Sequence, residues 1–380
     1  MTELLHHELA PSSAARNVQC PGSTRAEQRF PEIEEDDEDA RNGTAAHWAF
    51  QQILTTGEIP QVGDRAENGV ILDADMIEAA HLVADDALAV CKQYATDPRH
   101  LQVEKRVQIH WWFGTPDVAL IVLLPNGQLH IFVWDFKYGH RYVSEFENWQ
   151  CMDYVFGLVS TLPREIDWAR VSVHIRIVQP RCYIRGGALR EWAIPLNDLR
   201  AHFNLRLARA EEAVGENPRF IPGEECRDCR ARHGCPALQT AAHAVMDHIS
   251  REQPMGLRPE VIGWEYAYTT RSLQILKAYH EGLEQQAAHM IKTGQVVPGV
   301  MSVTGAGRTK WTVPAKQAID MAKMMGVDIS KPPEALTPLQ AKKAGLDAGF
   351  VDGLSRPDPG KTSIVVDDGS LARRVGFGKS

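Results

Sequence analysis

The chain has 380 residues, 44% hydrophobic and 24% charged, which fits one large or two medium globular domains. Its 29 Gly and 22 Pro exclude collagen-like and low-complexity classes, and no run approaches the roughly 18 uncharged apolar residues of a membrane span. The net charge of −8 would argue against a nucleic-acid partner, but the acidity sits at one end: residues 1–99 hold 7 basic and 19 acidic groups, residues 100–240 hold 17 and 16, and residues 241–380 hold 17 and 14.

The start, MTELLHHELAPSS, lacks a basic n-region and an apolar h-region, so a reducing, cytoplasmic setting is expected and a disulfide scaffold is not. Pro11-Ser12-Ser13 opens a short helical turn that ends at Cys20-Pro21. The seven acids between Glu32 and Asp39 read as a solvated loop leading to Gly43-Thr44-Ala45-Ala46-His47, after which a helix runs to about Leu54. Residues 75–95 carry apolar side chains at helical spacing, with Asp73 or Asp75 as the cap.

Strand chemistry follows. Residues 101–109 alternate apolar and polar, 117–124 form a continuous apolar run, and 129–137 form a third segment. The turns Gly114-Thr115-Pro116 and Pro125-Asn126-Gly127 separate them, which predicts a three-stranded meander. Residues 145–160 read as a helix, 171–178 as a strand and 195–214 as a helix. A helix after the third strand predicts an α/β core with a central mixed sheet flanked by helices. Beyond residue 240, a long helix is expected over 260–292, two short strands over 296–313, and a helix capped by Thr337-Pro338. The expected division is a core over 1–240 and a mainly helical region over 241–380 with a small hairpin and a Gly/Pro-rich tail.

Within the core, Asp117 opens the second strand and Asp135 closes the third, with Lys137 two residues on and on the same face by period-two alternation. Carboxylates converging at strand ends suit a hard divalent cation, which prefers oxygen ligands, and Phe136 can add its backbone carbonyl. A lysine there can orient an attacking water or stabilise charge on a phosphate. The order Gly43…His47, Gly114…Asp117, Asp135…Lys137, Gln150…Tyr154 resembles the PD-(D/E)XK nuclease superfamily, in particular its RecB-like exonuclease branch with the CRISPR-adaptation nucleases. The resemblance covers about residues 12–240. It implies that His47, Asp117 and Asp135 hold Mg²⁺ or Mn²⁺ and that Lys137 is the catalytic lysine. Gln150 and Tyr154, four apart on one helical face, would contact the substrate backbone or hold the lysine. Glu104 is a neighbouring acid on the first strand, without an assigned role.

Of seven cysteines, Cys226, Cys229 and Cys235 form C-x2-C-x5-C, a spacing suited to one metal centre, and Cys20 in its Pro-Gly turn is the best fourth ligand. Such a centre would clamp two ends of the core across a long loop. Four cysteines suit zinc or an iron–sulfur cluster, and ligand type does not choose. The resemblance does: one upstream cysteine with C-x2-C-x5-C is similar to the [4Fe-4S] staple of CRISPR-adaptation and AddB-type nucleases. Cys91, Cys151 and Cys182 read as buried small hydrophobes.

The C-terminal segments Gly294–Gly299, Gly305–Trp311, Leu336–Pro338 and Pro359–Lys361 resemble a phage and prophage family of uncharacterised proteins. The glycine-rich segment is no P-loop; Arg308, Lys310 and Trp311 read either as a hairpin or as a basic arm for DNA. The expectation is therefore a metal-dependent DNA exonuclease acting on ends or single strands, working with a phage strand-annealing or recombination protein. The rivals are a DNA-binding scaffold that has the fold without the chemistry, and a zinc-dependent nucleic-acid-binding module. The acidic run 32–39 would repel or gate DNA if it lies at the cleft.

Overall fold

Asp73 is the cap that the 75–95 helix uses: its side chain accepts a hydrogen bond from the Met76 N–H at 2.8 Å. Met76, Ala79, Ala80, Val83, Ala87 and Val90 then bury one face of that helix. The computed structural model describes residues 8–30, 38–163, 166–184, 186–249, 256–303, 315–325, 347–355 and 366–377. Among them the helices are α1 (Ala14–Gln19), α2 (Ser23–Arg29), α3 (Glu38–Thr56), α4 (Ala74–Gln93), α5 (Trp149–Ser160) and α6 (Arg200–Val214). They continue with α7 (Pro236–Ile249), α8 (Pro259–Lys292), α9 (Ala315–Met324), α10 (Ala348–Leu354) and α11 (Ser370–Phe377). The strands are β1 (Gln102–Val103), β2 (Val107–Gln108), β3 (Phe113–Gly114), β4 (Val118–Leu123), β5 (Leu129–Phe136), β6 (Val171–Val178) and β7 (Leu189–Pro195).

Five strands form one mixed sheet in the order β1-β4-β5-β6-β7, with β5 and β6 parallel and the other pairs antiparallel. The chain crosses from β5 to β6 through α5. β5 is almost wholly buried because both faces are covered. Phe132, Trp134 and Phe136 pack with Phe50, Ala80 and Val83 of α3 and α4. Ile131 and Val133 pack with Met152, Val155 and Leu158 of α5. Each such large side chain contributes about 1.5–3 kcal/mol on burial. The α/β core with a mixed sheet flanked by helices and a helical C-terminal region is therefore as expected.

Several details differ. The segment 101–109 is two short strands: β1 joins the main sheet, while β2 pairs only with β3. A left-handed backbone at Glu104 (φ 47°) breaks the alternation between them. α2 and β7 were unanticipated, the latter because Leu189–Pro195 follows a Gly-Gly loop with little apolar continuity. α3 begins at Glu38, so Gly43 lies inside the helix and Glu38 and Asp39 occupy its first turn, a favourable end of the helix dipole. Residues 295–303 contain no strand. The rest of the expected hairpin with Arg308, Lys310 and Trp311, the Thr337-Pro338 cap, Pro359–Lys361 and the acids at 32–37 lie outside the described residues.

The chain divides into two compact units, residues 1–297 with 366–380, and residues 298–365. The expected boundary at 240 falls instead within α7. The reason is packing: Leu238 and Ala242 of α7 and Ile275 and Ala278 of α8 bury against Cys226 and attach both helices to the first unit. Among the described residues no helix is long and apolar enough to cross a membrane.

A buried ion pair closes the α5–α6 side. Arg206 Nε lies 3.0 Å from both Asp153 oxygens, Arg206 Nη2 donates to the Leu9 carbonyl at 2.8 Å, and Trp112 Nε1 donates to Asp153 at 3.2 Å. Removing one partner leaves the other charge buried and uncompensated. Asp153→Ala is expected to lower stability by about 3–5 kcal/mol in urea melts, and the double change Asp153→Leu with Arg206→Met to recover most of that loss.

Candidate functional site

Strand register brings three acids side by side. β1 pairs with β4 at Gln102↔Ala119 and Val103↔Val118, and β4 begins its pairing with β5 at Val118↔Trp134. Continuing both ladders by one residue sets Glu104 opposite Asp117 and Asp117 opposite Asp135. The Glu104 N–H donates to the Asp117 carbonyl at 3.0 Å, in keeping with that register. Like charges at directly opposed positions repel one another.

His47 of α3 reaches the first two acids: Nδ1 lies 3.5 Å from Asp117 Oδ1 and 3.7 Å from Glu104 Oε1. Among the described residues, His47, Glu104 and Asp117 are the group of three potential ligands whose donor atoms all lie within 4.8 Å of one another. The second oxygen of Asp117 accepts a hydrogen bond from the Phe136 N–H at 2.6 Å, which fixes the carboxylate plane. The Phe136 ring packs against His47 with centroids 5.0 Å apart. Phe136, expected as a carbonyl ligand, is thus seen as an amide donor and a packing surface.

Asp135 is 1% exposed, and neither of its oxygens has a hydrogen-bond partner; Oδ2 has only the ion-pair contact with Lys137 Nζ at 3.1 Å. Lys137 Nζ donates to Gln150 Oε1 at 3.1 Å, and Gln150 Nε2 donates to the Tyr154 hydroxyl at 3.0 Å. Gln150 therefore contacts Lys137 directly, and Tyr154 contacts Gln150. Burial pushes the Asp117 and Asp135 carboxyls above their ordinary range, against the pull of Lys137 on both and of His47. Burial acts to lower Lys137 and His47, but the acids outweigh it. Asp135 and Asp117 hold the lysine raised, and Asp117 and Glu104 hold the histidine raised. His47, Glu104 and Asp117, with the buried Asp135 beside Asp117, form a donor set that fits a hard divalent cation.

Glu104 went without a role in the sequence because 101–109 looked like one alternating strand. Nothing in Val103-Glu104-Lys105 signals a left-handed residue, so its place in the row is a product of sheet register alone. Gly114, by contrast, has a physical reason in view. An added Cβ would lie 2.3 Å from Pro11 Cγ and 2.9 Å from Tyr154 Cε1, so only glycine admits this approach three residues before Asp117.

The second cluster lies where the chain's beginning meets residues 220–238. Cys20, Cys226, Cys229 and Cys235 line one cavity together with Arg16, Phe220 and Leu238. All four thiols are free. The Ile221 N–H donates to Cys20 Sγ and the Gly223 N–H to Cys226 Sγ, both at 3.3 Å, an arrangement that stabilises thiolates. Gly282 lets α8 close over this segment, since a Cβ there would sit 2.8 Å from the Arg232 carbonyl. Four thiols facing one cavity with amide donors behind two of them fit a metal or cluster. Cys91, Cys151 and Cys182 are buried away from it, as expected.

Residues 6–366 match the family described as "Protein of unknown function (DUF2800)", and the chain belongs to that family. The match takes in the acid row, the cysteine segment and residues 298–365 alike.

Burial pushes the Cys226 thiol up to about 11 and the Cys229 thiol up to about 12. In metal-free protein at pH 8 Cys226 should therefore alkylate about a hundredfold and Cys229 about a thousandfold more slowly than in the unfolded chain, because the thiolate is the reactive form. Quantitative mass spectrometry of iodoacetamide-treated protein measures this; equal rates in the two states would contradict it.

Proposed function

We propose that this chain is a divalent-cation-dependent deoxyribonuclease of the PD-(D/E)XK, RecB-like type, hydrolysing phosphodiesters at DNA ends or in single strands. The observation that carries the reading is the acid row Glu104, Asp117 and Asp135 with Lys137 beside it, held by Gln150 and Tyr154. In this reading His47, Asp117 and Asp135 hold Mg²⁺ or Mn²⁺, with the Phe136 carbonyl as a backbone ligand and Glu104 as a further acid. When bound, the cation supplies Lewis acidity to the scissile phosphate.

The protein's own groups do the rest. Asp117 turns Oδ1 toward His47 because Oδ2 accepts from the Phe136 amide. Lys137, kept charged by Asp135 and Asp117, offers its remaining N–H to an incoming water or to a non-bridging phosphate oxygen as negative charge builds there. Gln150 accepts one hydrogen bond from the ammonium and Asp135 lies 3.1 Å away, so the two together fix the direction of the remaining N–H. Tyr154, 5% exposed, orients the Gln150 amide and lies too deep to meet a substrate strand.

We place a [4Fe-4S] cluster on Cys20, Cys226, Cys229 and Cys235 as a structural staple. Four thiols lining one cavity suit zinc or a cluster alike, and the choice of a cluster rests on the likeness of the one-plus-three cysteine spacing to the [4Fe-4S] staple. A bacterial cytoplasm and a phage recombination or strand-annealing protein are the setting and partner that the reading implies.

Incubated with Mn²⁺ and 5′- or 3′-labelled single- and double-stranded DNA, the wild-type protein should release labelled products. Asp135→Ala and Lys137→Ala should lower the rate at least about a thousandfold with unchanged circular dichroism and unchanged iron content. Wild-type rates in either variant would remove the site from the reaction. Binding without cleavage by the wild-type protein would favour the DNA-binding scaffold instead.

A further inference from the structure

The two ends of one loop carry bonded partners of the acid site. Residues 138–148 run from Lys137 to Gln150, and these two side chains meet at 3.1 Å. What fixes that loop therefore fixes the lysine's partner. From the sheet, buried Gln179 at the end of β6 donates to the carbonyls of Gly139 and Arg141 and accepts from the Val143 N–H at 3.2 Å. From the C-terminal helix α11, Arg374 pairs with Glu145 at 2.9 Å and Arg373 with Glu147 at 2.8 Å.

Arg190 adds a hydrogen bond to the Val143 carbonyl at 2.9 Å, and a further anchor comes from the cysteine segment. Arg141 donates to both oxygens of Asp228, at 2.7 and 2.9 Å, a bidentate pair. Asp228 stands between Cys226 and Cys229. Its carbonyl accepts from Arg16 of α1 at 3.0 Å, and Arg16 pairs with Glu27 of α2 at 3.0 Å. The cysteine turn is thus braced on one side by the N-terminal helices and grips the loop on the other. A turn that carries two ligands of a four-cysteine centre takes a defined shape when the centre is filled and loses that constraint when it is empty.

We infer that Arg141 and Asp228 are positioning residues that couple the cysteine centre to the loop between Lys137 and Gln150, so that filling the centre orders that loop. The inference rests on the proposed reading of the four cysteines as a metal centre. It gives that centre a task beyond holding the fold: the acid site is set for cleavage when the centre is occupied.

The test compares wild-type protein as purified, wild-type protein stripped of its cysteine-bound metal, Arg141→Gln, Asp228→Asn, and the charge swap Arg141→Asp with Asp228→Arg. Hydrogen–deuterium exchange over peptides spanning 138–148 is the readout, alongside iron and zinc content. Arg141 is remote in sequence from the cysteines, so Arg141→Gln should keep its metal while exchange at 138–148 rises about fivefold, in line with loss of one partly exposed bidentate pair. Asp228→Asn and the stripped wild-type protein should show the same rise over the same peptides, and the charge swap should reverse it. In the nuclease assay Arg141→Gln should lose kcat more than KM, since the loop sets the lysine rather than the cation ligands.

Arg141→Gln with full metal content and wild-type exchange at 138–148 would overturn the coupling. So would a stripped wild-type protein whose exchange at these residues does not change. Metal content reports separately on the cysteine reading: protein that never holds iron or zinc sinks that reading and the coupling with it. Exchange needs no DNA cleavage, so an inactive protein still decides the matter.

Discussion

Repulsion among Glu104, Asp117 and Asp135 is the constraint around which the rest of this fold is arranged. Sheet register lines the three up on neighbouring strands, and Asp135 is buried without a hydrogen bond to either oxygen. In water such carboxylates would be solvated and screened. Here burial pushes Asp117 and Asp135 up, and the protein answers with one lysine, one histidine and one backbone amide. That compensation is partial. A site left short of positive charge, with oxygen donors already oriented, has the character that the proposed divalent cation requires.

Packing on both sheet faces brings the row its partners. α3 and α4 cover one sheet face and bring His47 in beside Phe136, while α5 covers the other and brings Gln150 and Tyr154 to Lys137. The buried Arg206–Asp153 pair ties α5 to α6 and to the chain's beginning at Leu9. The beginning then meets residues 220–238 at the four cysteines. Segments about 200 residues apart are thereby closed on one another, where loop-closure entropy is large and a cross-link does most. Arg141 and Asp228 join this closure to the loop behind Lys137.

What the sequence made legible followed from local rules. The cap at Asp73, the period-two placement of Asp135 and Lys137, and the apolar run that becomes β4 are set by neighbours in the chain, and each forms as read. The C-x2-C-x5-C spacing with Cys20 named four residues that do share a cavity. The parts that escaped are those that register and long-range packing decide. Glu104 joins the row through the register of β1 on β4, and no glycine or asparagine announces the left-handed turn that ends β1 there. The boundary near 240 followed a change in composition, but Leu238, Ala242, Ile275 and Ala278 carry the first unit well beyond it. Neither the Arg141–Asp228 pair nor the return of α11 to Glu145 has any local signature, since the partners are separated by 87 and 229 residues.

The most direct measurement of the central claim, that a buried acid row waits for a divalent cation, is thermal unfolding with and without Mn²⁺. Wild-type protein should gain about 5 °C at saturating Mn²⁺. Asp135→Asn, which keeps the side-chain shape but takes one acid out of the row, should gain nothing from the ion. A wild-type midpoint indifferent to Mn²⁺, or an equal gain in Asp135→Asn, would contradict the claim and leave Asp135 as the structural partner of Lys137.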